Sequence, residues 1–313
     1  MSIDLLCMGE PMLEFSQLPP APDGRRLYLE GFGGDTSNTA IAAARQGAKV
    51  GYITAVGVDA AGDAFLRLWQ SEGVDTSTVL RRPGLPTAVY FVMRRGAGHE
   101  FVFYRAGSAA ASYRPMDLPE ATIAAARIFY ASGISQAIST SAADAVFRAM
   151  EVARGAGLAV AFDTNYRSSL WPVARARAAI HAGAAEANYV FVSQEDAEAL
   201  TGLRDPNAIL DFYRALGPEI VILKRGGDGA ILATPEARIR ILPPKVAALD
   251  STGAGDALSG AFLARILAGD EPAPAARYAV AAAALSTTGY GAVAPIPREA
   301  DVRRAMTLGS SSG

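Results

Sequence analysis

A chain of 313 residues that is 50% apolar has ample material for a buried core, which excludes disorder as a description of the whole. A formal net charge of -2 gives no electrostatic reason to expect nucleic acid or a membrane surface as a partner. A single cysteine excludes a disulfide framework within the chain, and no uninterrupted apolar run is long enough to span a bilayer.

The amino terminus, Met1-Ser2-Ile3-Asp4, lacks the basic flank and apolar stretch of a secretory signal, so a soluble cytoplasmic protein is expected. Cys7 lies in the apolar run Leu5-Leu6-Cys7-Met8, where a buried, inert thiol is the expectation. Residues 11–32 are rich in proline, charge and exposed-looking polar groups. Ala88–Met93 and Glu100–Tyr104 read as two alternating strands around the turn Arg95-Gly96-Ala97-Gly98. A hairpin with no helices of its own does not belong to a doubly wound core. The segments at about 11–32 and 87–106 are therefore read as a small β lid, the alternative being an edge extension of the central sheet.

Farther on, short apolar runs alternate with alanine-rich stretches of helical period. Strands are expected at Ile128–Tyr130, Leu158–Asp163, Tyr189–Ser193 and Ile220–Lys224, and helices at Ala142–Arg154, Val173–Ala184 and Pro206–Leu216. The strands are apolar almost throughout, as when both faces of a sheet are covered. The rhythm predicts a doubly wound, mostly parallel α/β fold in one domain over residues 1–308, with 309–313 as a flexible tail.

The segment richest in chemistry is Asp250-Ser251-Thr252-Gly253-Ala254-Gly255-Asp256, which opens an apolar helix. A helix start exposes unpaired N–H groups and the positive end of the dipole, and Gly253 and Gly255 clear the approach for a phosphate. Asp256 either complements that dipole or takes a proton from a hydroxyl that attacks phosphorus; the flanking glycines favour the second reading. Leu258 stands where a dinucleotide fingerprint needs its third glycine, and no GxxxxGK[ST] segment exists, so both of those phosphate motifs are excluded.

The same seven residues resemble the carboxyl-terminal signature of the PfkB sugar kinases. Phe32-Gly33-Gly34-Asp35-Thr36-Ser37-Asn38-Thr39-Ala40 resembles their amino-terminal diglycine signature, in the family's order along the chain. The resemblance implies a ribokinase-like fold, ATP and Mg²⁺ as cofactors, and a homo-oligomer. It also implies Asp256 as the base, with Gly253 in the turn at the phosphate and the amides of Ala254, Gly255 and Asp256 around the transferring group. Gly33, Gly34, Asn38 and Tyr90 are then the sugar contacts. Ser193-Gln194-Glu195-Asp196 takes the place of the family's Asn-x-x-Glu motif, so Asp196 is expected to reach Mg²⁺ through water and Ser193 to lie at the nucleotide. Lys224, Gly226 and Gly229 resemble the strand-turn segment along the phosphates, a solvated strand-end lysine being the alternative for Lys224. Asp250 matches a position that holds a monovalent cation such as K⁺, or else caps the tight turn.

Tyr130-Ala131-Ser132-Gly133-Ile134-Ser135 and Phe162-Asp163-Thr164-Asn165-Tyr166-Arg167, with Leu170-Trp171, are similar to bacterial 2-dehydro-3-deoxygluconate kinases. That similarity implies an acidic sugar as the small-molecule partner beside ATP, held by Tyr104, Arg105 and Arg167. A guanidinium pairs with a carboxylate through two hydrogen bonds. The alternatives are a solvated lid residue for Arg105 and an ion pair with Asp163 for Arg167. A ketose kinase such as a fructokinase is the neighbouring functional reading, and a catalytically silent nucleotide or sugar sensor is the other class, which an intact Asp256 disfavours.

Overall fold

The computed structural model describes residues 3–95 and 98–310 of the chain. Its strands in chain order are β1 (Leu5–Met8), β2 (Met12–Gln17), β3 (Tyr28–Gly33), β4 (Val50–Gly57), β5 (Val79–Arg82), β6 (Val89–Arg95) and β7 (Gly98–Tyr104). They continue with β8 (Ile128–Ser132), β9 (Ala159–Asp163), β10 (Tyr189–Ser193), β11 (Ile220–Lys224), β12 (Ala230–Ala233) and β13 (Arg238–Ile241).

One nine-stranded sheet runs in the order β13-β12-β11-β10-β9-β8-β1-β4-β5. It is parallel from β11 to β5, and β12 and β13 add an antiparallel edge. Side chains alternate between two cores. Leu5 and Cys7 of β1 join the core built with the helices Asp35–Arg45, Ala254–Leu267 and Pro272–Ser286. Leu6 and Met8 join the core built with Thr140–Gly155, Val173–Ala185 and Pro206–Ala215. Covering on both faces is why these strands read as unbroken apolar runs, and why Cys7 is wholly buried, its thiol pushed far up by burial. The helix starts follow local chemistry: Ser139 accepts a hydrogen bond from Ala142 N, and Asp205 accepts one from Ala208 N ahead of Pro206.

From β1 the chain builds out to β4 and β5 on one side, then resumes at β8 on the other. The winding therefore reverses beside β1, and the crevice over the carboxyl ends of β1 and β8 is where ligands of such sheets bind. Ser135 Oγ donates to the Met8 carbonyl at 2.9 Å and ties the two strand ends together there.

The second sheet has four strands, in the order β3-β2-β6-β7. It is separate from the large sheet rather than an extension of its edge. The hairpin strands were legible one by one, whereas residues 11–32 were read as part of the β lid without their strands, β2 and β3, being marked. Their pattern was weak because only Gly33 of β3 is buried, leaving no clean alternation to read. The predicted turn after Arg95 falls in part on Gly96 and Ala97, outside the described residues. The last helix, Glu299–Ser310, runs through Gly309 and Ser310, the expected start of the tail; residues 311–313 lie outside the described residues. Among the described residues no helix is long and apolar enough to cross a membrane.

Candidate active site

Two helices from opposite ends of the chain cross in contact at Gly260. A Cβ there would lie 2.4 Å from the Thr39 carbonyl oxygen, so no larger residue permits this approach. The crossing brings Asn38 to Asp256, and Asn38 Nδ2 donates to Asp256 Oδ2 at 2.8 Å. Asn38 Oδ1 is buried and has no hydrogen-bond partner among the described residues, an acceptor left over at the same spot.

Asp256 is the third residue of the helix Ala254–Leu267, whose cap residue Gly253 has φ +76, a left-handed conformation that favours glycine. Ala254, expected among the anion-binding amides, gives its N–H to the Ser251 carbonyl at 3.1 Å and so closes the turn instead. Gly255 and Asp256 keep amides with no partner among the described residues. Asp256 is only 9% exposed, and its carboxyl is pushed up to about 8, first by burial and then by the negative charge of Asp35. A carboxylate of that basicity beside two open amides can deprotonate a hydroxyl while the amides hold an anion.

The strand ends supply the surroundings. Lys224, at the end of β11, is not a solvated lysine: Nζ lies 2.6 Å from Oδ2 of the fully buried Asp163 at the end of β9. Burial opposes the ammonium, but Asp163, Asp196 and Asp256 together outweigh it and raise the pKa of Lys224. A Cβ on Gly255 would stand 3.2 Å from Lys224 Nζ, which places the ammonium against the open amides. Ser193 caps its helix by accepting from Asp196 N at 2.9 Å. Asp196 Oδ2 in turn accepts from Thr164 Oγ1 at 2.9 Å and Tyr166 N at 3.2 Å, and burial raises its pKa. Gly226 lies in the turn between β11 and β12, with nothing within 4 Å of its Cβ position, while Gly229 packs on the Ile241 carbonyl. Asp250 caps the tight turn: Oδ1 accepts from Thr252 N at 2.9 Å, and Oδ2 accepts from Gly291 N at 2.9 Å.

On the sugar side, Gly33 lies against the ring of Tyr90, whose hydroxyl donates to Glu14. Tyr104 is 63% exposed at the end of β7. Arg105 is not solvated; it forms a 2.6 Å ion pair with Glu10, a carboxylate only 1% exposed just past β1. Arg167 makes no ion pair with Asp163, because Lys224 occupies that carboxylate. Its guanidinium is exposed, its one hydrogen bond runs to the Tyr166 carbonyl at 3.3 Å, and no carboxylate among the described residues lies within ion-pair distance. The loop that bears it is held from below by Asn165 Nδ2 on Asp35 Oδ2 at 2.8 Å. Sequence reasoning passed over Glu10 and Asp35 as members of the site. The available signal was an acidic residue directly after a buried strand or diglycine turn.

Comparison with known proteins gives the family of the chain. The family model described as pfkB family carbohydrate kinase matches residues 7–299. The 2-dehydro-3-deoxygluconokinase of Thermoproteus tenax is 35% identical over 96% of this chain and 93% of its own length. Fructokinase-1 of Oryza sativa subsp. japonica is 31% identical over 96% of this chain and 97% of its own. Among solved structures, the fructokinase of Xylella fastidiosa with bound ATP has a TM-score of 0.89 at 27% identity, covering 99% of this chain and 100% of that one.

Proposed function

The chain belongs to the pfkB family of carbohydrate kinases, and from that premise we propose that it transfers the γ-phosphoryl group of ATP to the terminal hydroxyl of 2-dehydro-3-deoxygluconate. The product is 2-dehydro-3-deoxy-6-phosphogluconate. The observation that carries the acidic sugar is Arg167, an exposed guanidinium with no carboxylate within ion-pair distance among the described residues, on the loop that follows β9. The test is the wild-type preference between this acid and a neutral ketose in an ADP-release assay, with the highest kcat/KM expected for the acid.

In this reading the sugar oxygen forms the new bond to phosphorus while the bond from phosphorus to the departing ADP oxygen breaks. The hydroxyl proton passes to Asp256. Asn38 orients that carboxylate through Nδ2 and offers Oδ1 to a neighbouring hydroxyl. The Gly255 and Asp256 amides and Lys224 meet the charge that spreads over the transferring oxygens.

Mg²⁺ neutralises phosphate charge in such transfers. Among the described residues no group of three metal-ligating acids, histidines or cysteines exists, which fits an ion held mainly by phosphates and water with one carboxylate behind it. Asp196 is that carboxylate. Its replacement by alanine should raise the Mg²⁺ concentration for half-maximal rate several-fold, and an unchanged metal dependence removes Asp196 from the site.

The smaller sheet serves as a lid that excludes water from the transfer. Sugar binding should slow hydrogen exchange across residues 88–95 and 98–105 more than in the central strands. Equal protection at saturating sugar speaks against a lid.

A ketose kinase is the second reading, favoured by the pairing of Arg105 with Glu10, which leaves that guanidinium no net charge for an acid.

A further inference from the structure

We propose that Glu10 is a positioning residue that fixes Arg105 at the sugar site, and that the affinity for sugar depends on this buried pair. The inference rests on the kinase function proposed above and on Arg105 meeting the sugar, as the resemblance to 2-dehydro-3-deoxygluconate kinases implies.

Three contacts converge on Glu10. Its Oε2 lies 2.6 Å from an Arg105 amino group, and its Oε1 accepts from Ser108 Oγ at 2.9 Å. Its backbone runs against the diglycine turn, where a Cβ on Gly34 would stand 2.5 Å from the Glu10 carbonyl oxygen. One residue past the central strand thus touches the turn that faces the sugar and both polar side chains at the root of the β6–β7 hairpin.

A carboxylate buried to this degree is costly unless it is paired and hydrogen-bonded. Burial raises the pKa of Glu10, and Arg105 and Ser108 oppose that shift, so the pair persists because each charge needs the other. A guanidinium carries five N–H donors in a planar fork. Glu10 engages one end. The Nε and the second amino group make no hydrogen bond among the described residues and remain for a ligand. Arginine side chains lose much rotamer freedom on binding, so one already clamped at its far edge spends less on gripping a sugar oxygen.

The ion pair also spans two bodies, the large sheet at β1 and the segment that leaves β7. The other root of that hairpin is pinned in the same manner: Asp59 accepts from Thr87 N at 2.7 Å and Thr87 Oγ1 at 2.8 Å. The cation nearest that clamp, Arg81, acts on Asp59 through its charge but makes its ion pair with Asp63. The Glu10 clamp differs in presenting a charged donor group.

The test is a double-mutant cycle on steady-state kinetics, run with whichever sugar the wild type turns over best. Glu10→Gln keeps the shape and removes the charge. It should lower kcat/KM for the sugar by roughly 10- to 100-fold, mainly through KM, with KM for ATP nearly unchanged. Arg105→Met should show the same pattern. The pair Glu10→Gln with Arg105→Met should be no worse than Arg105→Met alone, because Glu10 acts through Arg105.

Ser108→Ala leaves both charges in place and should raise the sugar KM a few-fold. It decides the matter if Glu10→Gln does not fold. A lowered melting temperature with unchanged sugar KM in Glu10→Gln or Ser108→Ala overturns the proposal, as do additive losses in the cycle. An Arg105→Met enzyme with normal sugar KM overturns both this role and the Arg105 contact. A wild type that prefers a neutral ketose instead overturns only the acidic-substrate reading and leaves the cycle valid.

Discussion

Asp256→Asn should lower turnover by roughly 10²–10⁴-fold while making the ligand-free protein more stable above neutral pH. The first half follows from chemistry: the amide keeps the size of the carboxylate and still accepts from Asn38, but it cannot take the proton. The second half follows from electrostatics. Burial and the nearby Asp35 push Asp256 from an ordinary 3.8 to about 8, so the folded protein favours the neutral form. A group whose pKa is raised on folding contributes stability in full below its unfolded value and loses it as pH rises through its folded value. The wild type should therefore lose stability between about pH 4 and pH 8 more steeply than Asp256→Asn, and the separation of the two melting curves should be complete above about pH 8. Measuring melting temperature against pH for both proteins checks this without any substrate. Activity has the opposite slope, since the base must be ionised: kcat/KM for the sugar should rise with pH through the titration of Asp256. Near-normal turnover in Asp256→Asn would falsify the base assignment. Parallel melting curves would show that Asp256 is ionised in the empty site.

That Asp256 is both buried and flanked by open amides was partly legible. The glycines and the helix start stand in the sequence, but its basicity comes first from burial and then from Asp35, which is more than two hundred residues away in the chain. The large sheet was legible for a local reason: β8 to β11 are apolar on both faces and alternate with helices that announce their own caps. The smaller sheet was half legible, because β2 and β3 are mostly half-buried and so carry no clean alternation. Long-range pairings were the least accessible. Sequence offered Asp163 as a partner for Arg167, whereas the parallel register places Asp163 and Lys224 on strand ends flanking β10, and the lysine takes the carboxylate. The anion-binding amides were over-counted by one for a similar reason. A turn closed by Ala254 N on the Ser251 carbonyl is a backbone detail that residue types do not announce.

The displacement of Arg167 from Asp163 gives the acidic-sugar reading its sharpest test. Arg167→Met should lower kcat/KM for 2-dehydro-3-deoxygluconate by roughly one to two orders of magnitude, the equivalent of about 1.5–3 kcal/mol for a hydrogen bond to a charged group. A neutral ketose such as fructose should lose much less, and KM for ATP should hardly move. The substitution removes little structure because the guanidinium is exposed and its hydrogen bond runs to the Tyr166 carbonyl, and its charge acts on Asp196 only through space. The loop keeps its shape through Asn165 on Asp35 and through Thr164 and Tyr166 on Asp196, none of which is touched. Arg105 is a poorer probe of the substrate's charge. Its removal strands the buried Glu10, so Arg105→Met should weaken acidic and neutral sugars together. The contrast between the two arginines separates a carboxylate contact from a general positioning one. If wild-type enzyme prefers fructose, or if Arg167→Met loses acid and ketose in equal measure, the acidic-sugar reading fails. Phosphoryl transfer through Asp256 would stand in either case, because it rests on the Asn38 contact and the open amides and on no arginine.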